Sequence, residues 1–575
     1  MTPARLRRKP LTKPDASVSE LIAALQQVSH SFGSGPAREK LSLLGQLAKA
    51  GPPPVRQLIA LQGVLDFIRA YPDGSEVRAA SEAVVRQLRS WIAALSPDKA
   101  ALTNSGLPGI TMTYSYHFGV LRQLLQAWPG SCEFDWGDLE DEAALMQALD
   151  LSLPSAESDG LYGDRLTLRD WLAGCRPRKG ASDLETTIGI IAGAGHTEQL
   201  ESWLFDNGDL PIRYSLRSPG QGRCEVTLSG GRRCYQQKAI ERDRYPLRPL
   251  IQRALPAVRP CRPNVARALL AIAHAALCSR CLEIYPLIHA NDRDVTLVPC
   301  GRGIQVVVVG TRPAMRATLE SLYFFLVLKN GVPIAYGPAG VFFGACEMGI
   351  NLFPEFRGSE IRYVYSQVMR ALRHVLGADY FFVQDYGMGV GNPDAIASGA
   401  FWFYRKLGFV ADNPNVEQLA QAEEQRMLAE PGYRSDRRML HRLKHTRVYL
   451  DLSEGRSSWF DFERLGVQLS EFVSQQYGGD RNLAAARCAA SVARTLGIRR
   501  SGLCKEQISA LGSIAPIVAM LPDLDRWTAT EKRALGRAIV QKGAASEAAG
   551  CRALAKHTRL RQSLLALADV RPPTD

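Results

Sequence analysis

The 575-residue chain has no apolar run long enough to cross a bilayer. Its longest runs, over residues 268–278 and 304–310, fall well short of the roughly 20 residues a spanning helix needs, so no transmembrane helix is expected. The basic beginning carries Arg5, Arg7, Arg8, Lys9 and Lys13, but Pro10 and Pro14 interrupt it and no apolar secretory core follows. This predicts a basic tail over 1–16 in a cytoplasmic protein. Nor do the 12 cysteines form a regular framework, which in a chain this long points to reduced thiols rather than a disulfide scaffold. Only Cys278 and Cys281 stand at zinc or redox spacing. With no second pair, they are expected to pack as small apolar side chains at the end of a helix. The 9 histidines have no partner spacing that argues for a metal or a nucleophilic triad, and no bound metal is expected. The run Gly387-Met388-Gly389-Val390-Gly391 lacks the lysine of a P-loop and the spacing of a dinucleotide fingerprint, and is read as a flexible loop.

What is present is an average globular composition, 46% hydrophobic and 22% charged, in a chain too long for one core. Several units are expected. The net charge of +13 is concentrated toward the end: residues 431–575 hold 24 Lys and Arg against 14 Asp and Glu. Arg437, Arg438, Arg442, Lys444 and Arg447 form a basic cluster there. Such a cluster suits a polyanion such as tRNA, or simply solvated helix faces.

Apolar residues at helical spacing, as in Leu21, Ile22, Leu25, Val28 and in Val77, Val84, Val85, Leu88, Ile92, predict a helical domain over 17–150. Residues 151–260 are less regular, with a hairpin expected from 212–216 and 223–228. An α/β domain is expected over 261–412. Helical patterns return in a basic domain over 413–575, at 459–477, 483–496 and 506–521.

The informative stretch opens with 322–328, ended by Lys329-Asn330-Gly331 and followed by 332–336. Asn-Gly between two apolar runs predicts a tight hairpin, because both positions tolerate positive φ. A third strand is expected over 341–344, running on through 346–353 with Glu347, Gly349, Asn351 and Phe353 on one face. A turn over 354–359 leads to a helix whose apolar stripe is Ile361, Val364, Tyr365, Val368, Leu372, Val375 and Leu376. Residues 380–383 read as another strand. Asn392-Pro393-Asp394 is an N-cap, a first-position proline and a first-turn acid, opening a helix that ends at Leu407-Gly408.

This order of elements, closing on Tyr404-Arg405-Lys406-Leu407-Gly408-Phe409, resembles the core of the GNAT acyltransferase superfamily, in which a Tyr-x-Lys-Leu-Gly-Phe segment is common. Segments similar to Leu328-Lys329-Asn330-Gly331-Val332-Pro333-Ile334 and to 398–404 also occur in large bacterial GNAT-like proteins of undefined function. The resemblance covers about 90 residues. It implies an α/β fold, with a GNAT-like mixed, mainly antiparallel sheet and helices, flanked by mostly α-helical N- and C-terminal domains. It further implies transfer of an acyl group from a thioester, acyl-CoA, to an amine by direct attack. In that family a strand that splays from its neighbour binds the donor through its exposed backbone, which places the donor at Gly349, Ile350, Asn351, Leu352 and Phe353. The following loop would hold the pyrophosphate with Arg357, Gly358 and Ser359, while Glu360 and Arg362 stand where the family has glycines. A carboxylate there is expected to repel a pyrophosphate. A donor without one, an acyl carrier protein or aminoacyl-tRNA, would relax the requirement, and a non-catalytic GNAT-fold scaffold is the remaining alternative. The resemblance assigns Tyr404 to protonating the departing thiolate. Glu347 is placed to deprotonate the amine, and Asn392 to hold a donor carbonyl or amide.

Overall fold

The computed structural model describes residues 17–95, 98–240, 247–256, 258–455 and 458–569, so the expected tail over 1–16 lies outside the described residues. The chain is α/β, with one large mixed sheet between helical flanks. The sheet contains β1 (Ala290–Gly301), β2 (Ile304–Thr311), β3 (Ser321–Lys329), β4 (Val332–Phe342), β5 (Ala345–Met348), β6 (Asn351–Leu352), β7 (Tyr380–Val383), β8 (Val410–Ala411) and β9 (Val448–Asp451). Its order is β8–β9–β7–β5–β4–β3–β2–β1, with β6 also paired to β4. Every pairing is antiparallel except that of β5 with β7.

Two tight turns set the register of the sheet centre. Asn330 and Gly331, at φ 51° and 84°, join β3 to β4 as expected. Phe343 and Gly344, at φ 46° and 81°, make a second turn of the same hand. Residues 341–342 therefore finish β4, and the third strand begins only at Ala345 rather than at 341. The sequence hid this because phenylalanine is a poor occupant of positive φ, and nothing in Val-Phe-Phe-Gly marks a turn except the glycine.

Helix α1 (Pro263–Cys278) packs on β1, and α2 (Ile361–Leu376) packs on β1, β2 and β3. Val364, Tyr365, Val368, Leu372 and Leu376 of α2 are fully buried, and each such side chain stabilises the docking by about 1.5–3 kcal/mol. After β7 come α3 (Pro393–Ser398) and α4 (Ala400–Lys406). The single helix expected here is broken at Gly399, whose left-handed backbone at φ 66° caps one helix and opens the other. Helices α5 (Pro414–Ala429) and α6 (Arg437–Leu443) precede β9, which returns to the sheet between β8 and β7. The sheet thus extends beyond 412.

The amino-terminal helices, beginning with Val18–Val28, bury Leu21, Ile22, Leu25, Val28, Val84, Leu88 and Ile92 in one core. A second core draws on residues from Met112 to Leu216 around a three-stranded sheet, in which Ile212–Ser215 pairs with both Thr111–Tyr114 and Cys132–Phe134. That pairing crosses the expected boundary at 150. It also corrects the expected hairpin, since Arg223–Glu225 is a short 3-10 turn and not a strand. The carboxy-terminal helices, among them Phe462–Tyr477, Arg481–Leu496 and Lys505–Ala519, enclose their own core, into which Phe342 of β4 reaches. Among the described residues no helix is long and apolar enough to cross a membrane.

Candidate functional site

The partner strand of β4 comes in two pieces. β5 lies between β4 and β7 through the parallel pairs Ala345–Tyr380, Cys346–Phe381 and Glu347–Phe382. β6 continues along β4, pairing Asn351 with Tyr336 and Leu352 with Ala335, but no strand among the described residues covers its other side. The chain that would prolong β7 instead turns away in the 3-10 turn Asp385–Met388. Two residues of β4 explain the break. Pro338 has no N–H to offer, and at Gly337 a Cβ would lie 2.0 Å from the Gly349 carbonyl, so only glycine permits the close approach. The result is an open sheet edge along residues 349–352, beginning where Glu347 makes the last pair with β7.

Glu347 is half-buried at this point. Burial pushes its carboxyl above the ordinary range, opposed by a hydrogen bond from Gln384 and by the charge of Arg447. Arg447, just before β9, pairs with Asp412 and lies 4.1 Å over the Trp459 ring. Opposite Glu347 on β4 is Gly340, and the Glu320 carboxylate rests against it: a Cβ there would be 2.4 Å from Glu320 Oε1. Burial and the neighbouring Glu347 push Glu320 up to about 7, with Lys542 opposing. Glu320 and Gln384 had no motif in the sequence that could reveal them, and Arg447 stood out only as part of the basic cluster.

On the other side of the sheet, Tyr404 of α4 is buried in an aromatic nest. Its ring meets Tyr365 at 5.9 Å, Phe403 at 5.2 Å and Phe409 at 5.6 Å between centroids. Burial raises the phenol to about 12, partly offset by the Tyr365 hydroxyl. Asn392 caps α3, its Oδ1 accepting from the Ala395 amide at 3.2 Å. That acceptor is therefore committed to the helix.

The loop before α2 departs from the expectation drawn from the sequence. Arg357 and Gly358 are exposed, with Gly358 at φ 82°, and Ser359 is buried. Glu360 is 2% exposed and points into the protein, where Lys329 Nζ lies 2.6 Å and Arg302 3.0 Å from its carboxylate oxygens. Two cations meet this charge, so the expected repulsion of an anion by Glu360 is corrected: the carboxylate ties the β3–β4 hairpin to the start of α2. The same hairpin tip is anchored to the amino-terminal helices. Asn330 Nδ2 donates to the Ala70 and Cys234 carbonyls at 2.8 Å, and Lys329 lies over the Tyr71 ring. Around the mouth of the loop, Arg362 of α2 and the exposed Lys406 and Arg434 lie near one another. Burial and these two arginines hold the Lys406 amine below its ordinary range. Positive charge beside the amides of a helix start is a setting for phosphate.

Comparison of the chain with protein-family profiles, with curated proteins and with solved structures finds no match.

Proposed function

We propose that the protein is an N-acyltransferase of GNAT type, which takes an acyl group from an acyl-CoA thioester and passes it to an amine by direct attack. The observation that carries this reading is the open edge along residues 349–352 next to Glu347, because a free backbone edge beside a half-buried base supplies both donor binding and proton removal. In this reading the donor's amide arm lies along the edge. Its phosphates meet Arg357, the exposed Gly358, the start of α2 and the cations Arg362, Lys406 and Arg434. Glu360 is neutralised inside the protein, and Glu355 of the same loop is paired with Arg280 at 3.4 Å, so both loop carboxylates already have cationic partners.

The acceptor arrives as an ammonium ion and gives one proton to Glu347. The neutral nitrogen attacks the thioester carbonyl, a C–N bond forms and the C–S bond breaks. As the intermediate collapses the second nitrogen proton passes to solvent, and the sulfur departs as thiolate. Tyr404, with its proton held to about pH 12, lies well above an ordinary thiol at about 8.5, so complete transfer of its proton to the thiolate is uphill. Buried on the other side of the sheet from Glu347, Tyr404 takes no part in these steps, and solvent supplies the proton to the thiolate.

Mass spectrometry under non-denaturing conditions, after incubation with acetyl-, malonyl- and long-chain CoA, tests the donor. A retained or cleaved CoA thioester is expected. Retention only of an acyl carrier protein or an aminoacyl-tRNA would replace the donor, and retention of none of the three would leave a scaffold.

A further inference from the structure

The face of the sheet that carries Glu347 is not the face covered by α2. Cys346 lies near the buried Tyr365 of α2, and in an alternating strand its neighbour Glu347 points the other way. Register then places Leu322, Gly340 and Glu347 side by side across β3, β4 and β5. Glu320 precedes β3 with the parity of Leu322, and its carboxylate rests on the bare backbone of Gly340. The Glu320 carboxylate thus lies over the glycine whose register partner is Glu347, near enough for the Glu347 charge to act on it, and any side chain at 340 would occupy the space that Oε1 fills.

The charges that face this pair do not neutralise it. Lys542 Nζ donates to the Glu320 carbonyl at 2.6 Å and to Ser321 Oγ at 3.3 Å, but it is already paired with Glu547 at 2.9 Å. Behind it, Glu547 also faces Arg316 at 3.9 Å, and Asp294 accepts from Ser546. Those two carboxylates and two cations balance. On the other flank Arg447 faces Glu347, but it is held by Asp412, and Gln384 contributes no charge. Among the described residues, Glu320, Glu347 and Asp412 against Arg447 leave two negative charges uncompensated. Beside them on the same face stands an aromatic wall, in which Tyr380 stacks on Tyr449 at 5.3 Å and Phe382, Tyr449 and Trp459 pack together. Paired carboxylates beside aromatic rings form a receptor for organic cations.

We propose that Glu320 joins Glu347 as a pair of neighbouring carboxylates at the acceptor site, in which Glu347 receives the ammonium proton of the acceptor and the pair selects an aliphatic diamine or polyamine over an amino acid. This inference rests on the acyl-transfer reading. An α-carboxylate next to the reacting nitrogen would meet two like charges, whereas a second ammonium group supplies the missing positive charge. The pair also responds to pH near neutrality. Two close carboxylates cannot both ionise freely, so Glu320 holds its proton up to about 7 and the pair gains its second negative charge only above that.

The experiment uses the full chain in three forms: wild type, Glu320→Gln and Gly340→Ala. The alanine methyl displaces the Glu320 carboxylate without changing any charge, so it checks the geometry apart from the charge. Calorimetry with 1,4-diaminobutane and with glycine, without donor, reads the acceptor site alone. The wild type is expected to bind the diamine at pH 8 and to bind it at least tenfold more weakly at pH 5.5, because protonation removes the attracting charge. Both variants are expected to lose tenfold or more at pH 8, and glycine to bind weakly throughout. Turnover with the donor retained in mass spectrometry is expected to rise with pH through about 7 in the wild type. In Glu320→Gln that limb moves at least one pH unit lower, because Glu347 has lost its negative neighbour. Equal binding of glycine and diamine, or a Glu320→Gln protein with wild-type binding and pH profile, overturns the inference. Diamine binding that depends on Glu320, in a protein that retains no thioester, instead overturns the acyl-transfer reading and leaves the cation site standing.

Discussion

Replacing Glu360 by glutamine separates two opposite roles for this carboxylate. If it faced a bound phosphate, its removal would tighten donor binding. The structure has it 2% exposed between Lys329 and Arg302, so its removal leaves a buried ammonium without its carboxylate partner. Lys329 Nζ keeps the Arg302 carbonyl at 2.9 Å and the Tyr71 ring at 4.7 Å, which softens the loss. Breaking one side of a buried pair costs about 3–5 kcal/mol, and these surviving contacts place the expected cost near 3. Replacing both members by apolar residues of similar volume, Lys329→Met with Glu360→Leu, removes both desolvation penalties and is expected to recover most of that loss. A chain of several cores does not unfold in one step, so the loss is best read locally. Amide hydrogen exchange in β3, β4 and the first turn of α2 should accelerate by about 100-fold in Glu360→Gln, since 1.4 kcal/mol is tenfold, and return toward the wild-type rate in the double variant. CoA binding, measured in parallel, should change less than threefold. A tenfold gain in CoA affinity with unchanged exchange would refute the inward-facing ion pair.

Three further outcomes follow from the same geometry. Tyr404→Phe should leave transfer turnover and CoA binding within about threefold of wild type, because the ring keeps its place in the aromatic nest and the hydroxyl meets Tyr365; a tenfold or greater loss of turnover with CoA binding intact would bring the phenol into the chemistry. Arg362→Ala and Lys406→Ala should each weaken CoA binding severalfold and flatten its salt dependence, which titrations at two ionic strengths would detect. Gly337→Ala should destabilise the β4–β6 pairing by 2 kcal/mol or more and abolish donor binding, since the added methyl meets a backbone carbonyl that has nowhere to go; exchange protection at 351–352 is the readout.

Where the signal was local, the sequence could be read. The Asn330-Gly331 turn, the stripe of α2 and the Asn392 cap each require particular residue types within a few positions, so composition and spacing reveal them. Glu347 on a strand followed by residues 349–353 was legible for the same reason. What failed was everything set by partners far along the chain. β9 is four residues with ordinary alternation, and only its pairing with β7 and β8 makes it part of the sheet. Phe343 sits at positive φ because the β4–β5 register demands a turn there.

The sequence by itself determined the elements and their order around the open edge, because hydrogen-bonding geometry and side-chain periodicity act over a few residues. Tertiary structure alone decided what the charges do. Glu360 reads as an obstacle to phosphate until Lys329 and Arg302 arrive from the β3 and β1–β2 turns to neutralise it. Glu320 and Glu347, 27 positions apart, become one unit only when β3, β4 and β5 lie in register. Electrostatic character belongs to distances in space, burial multiplies it, and neither quantity is written in the spacing of residues along a chain.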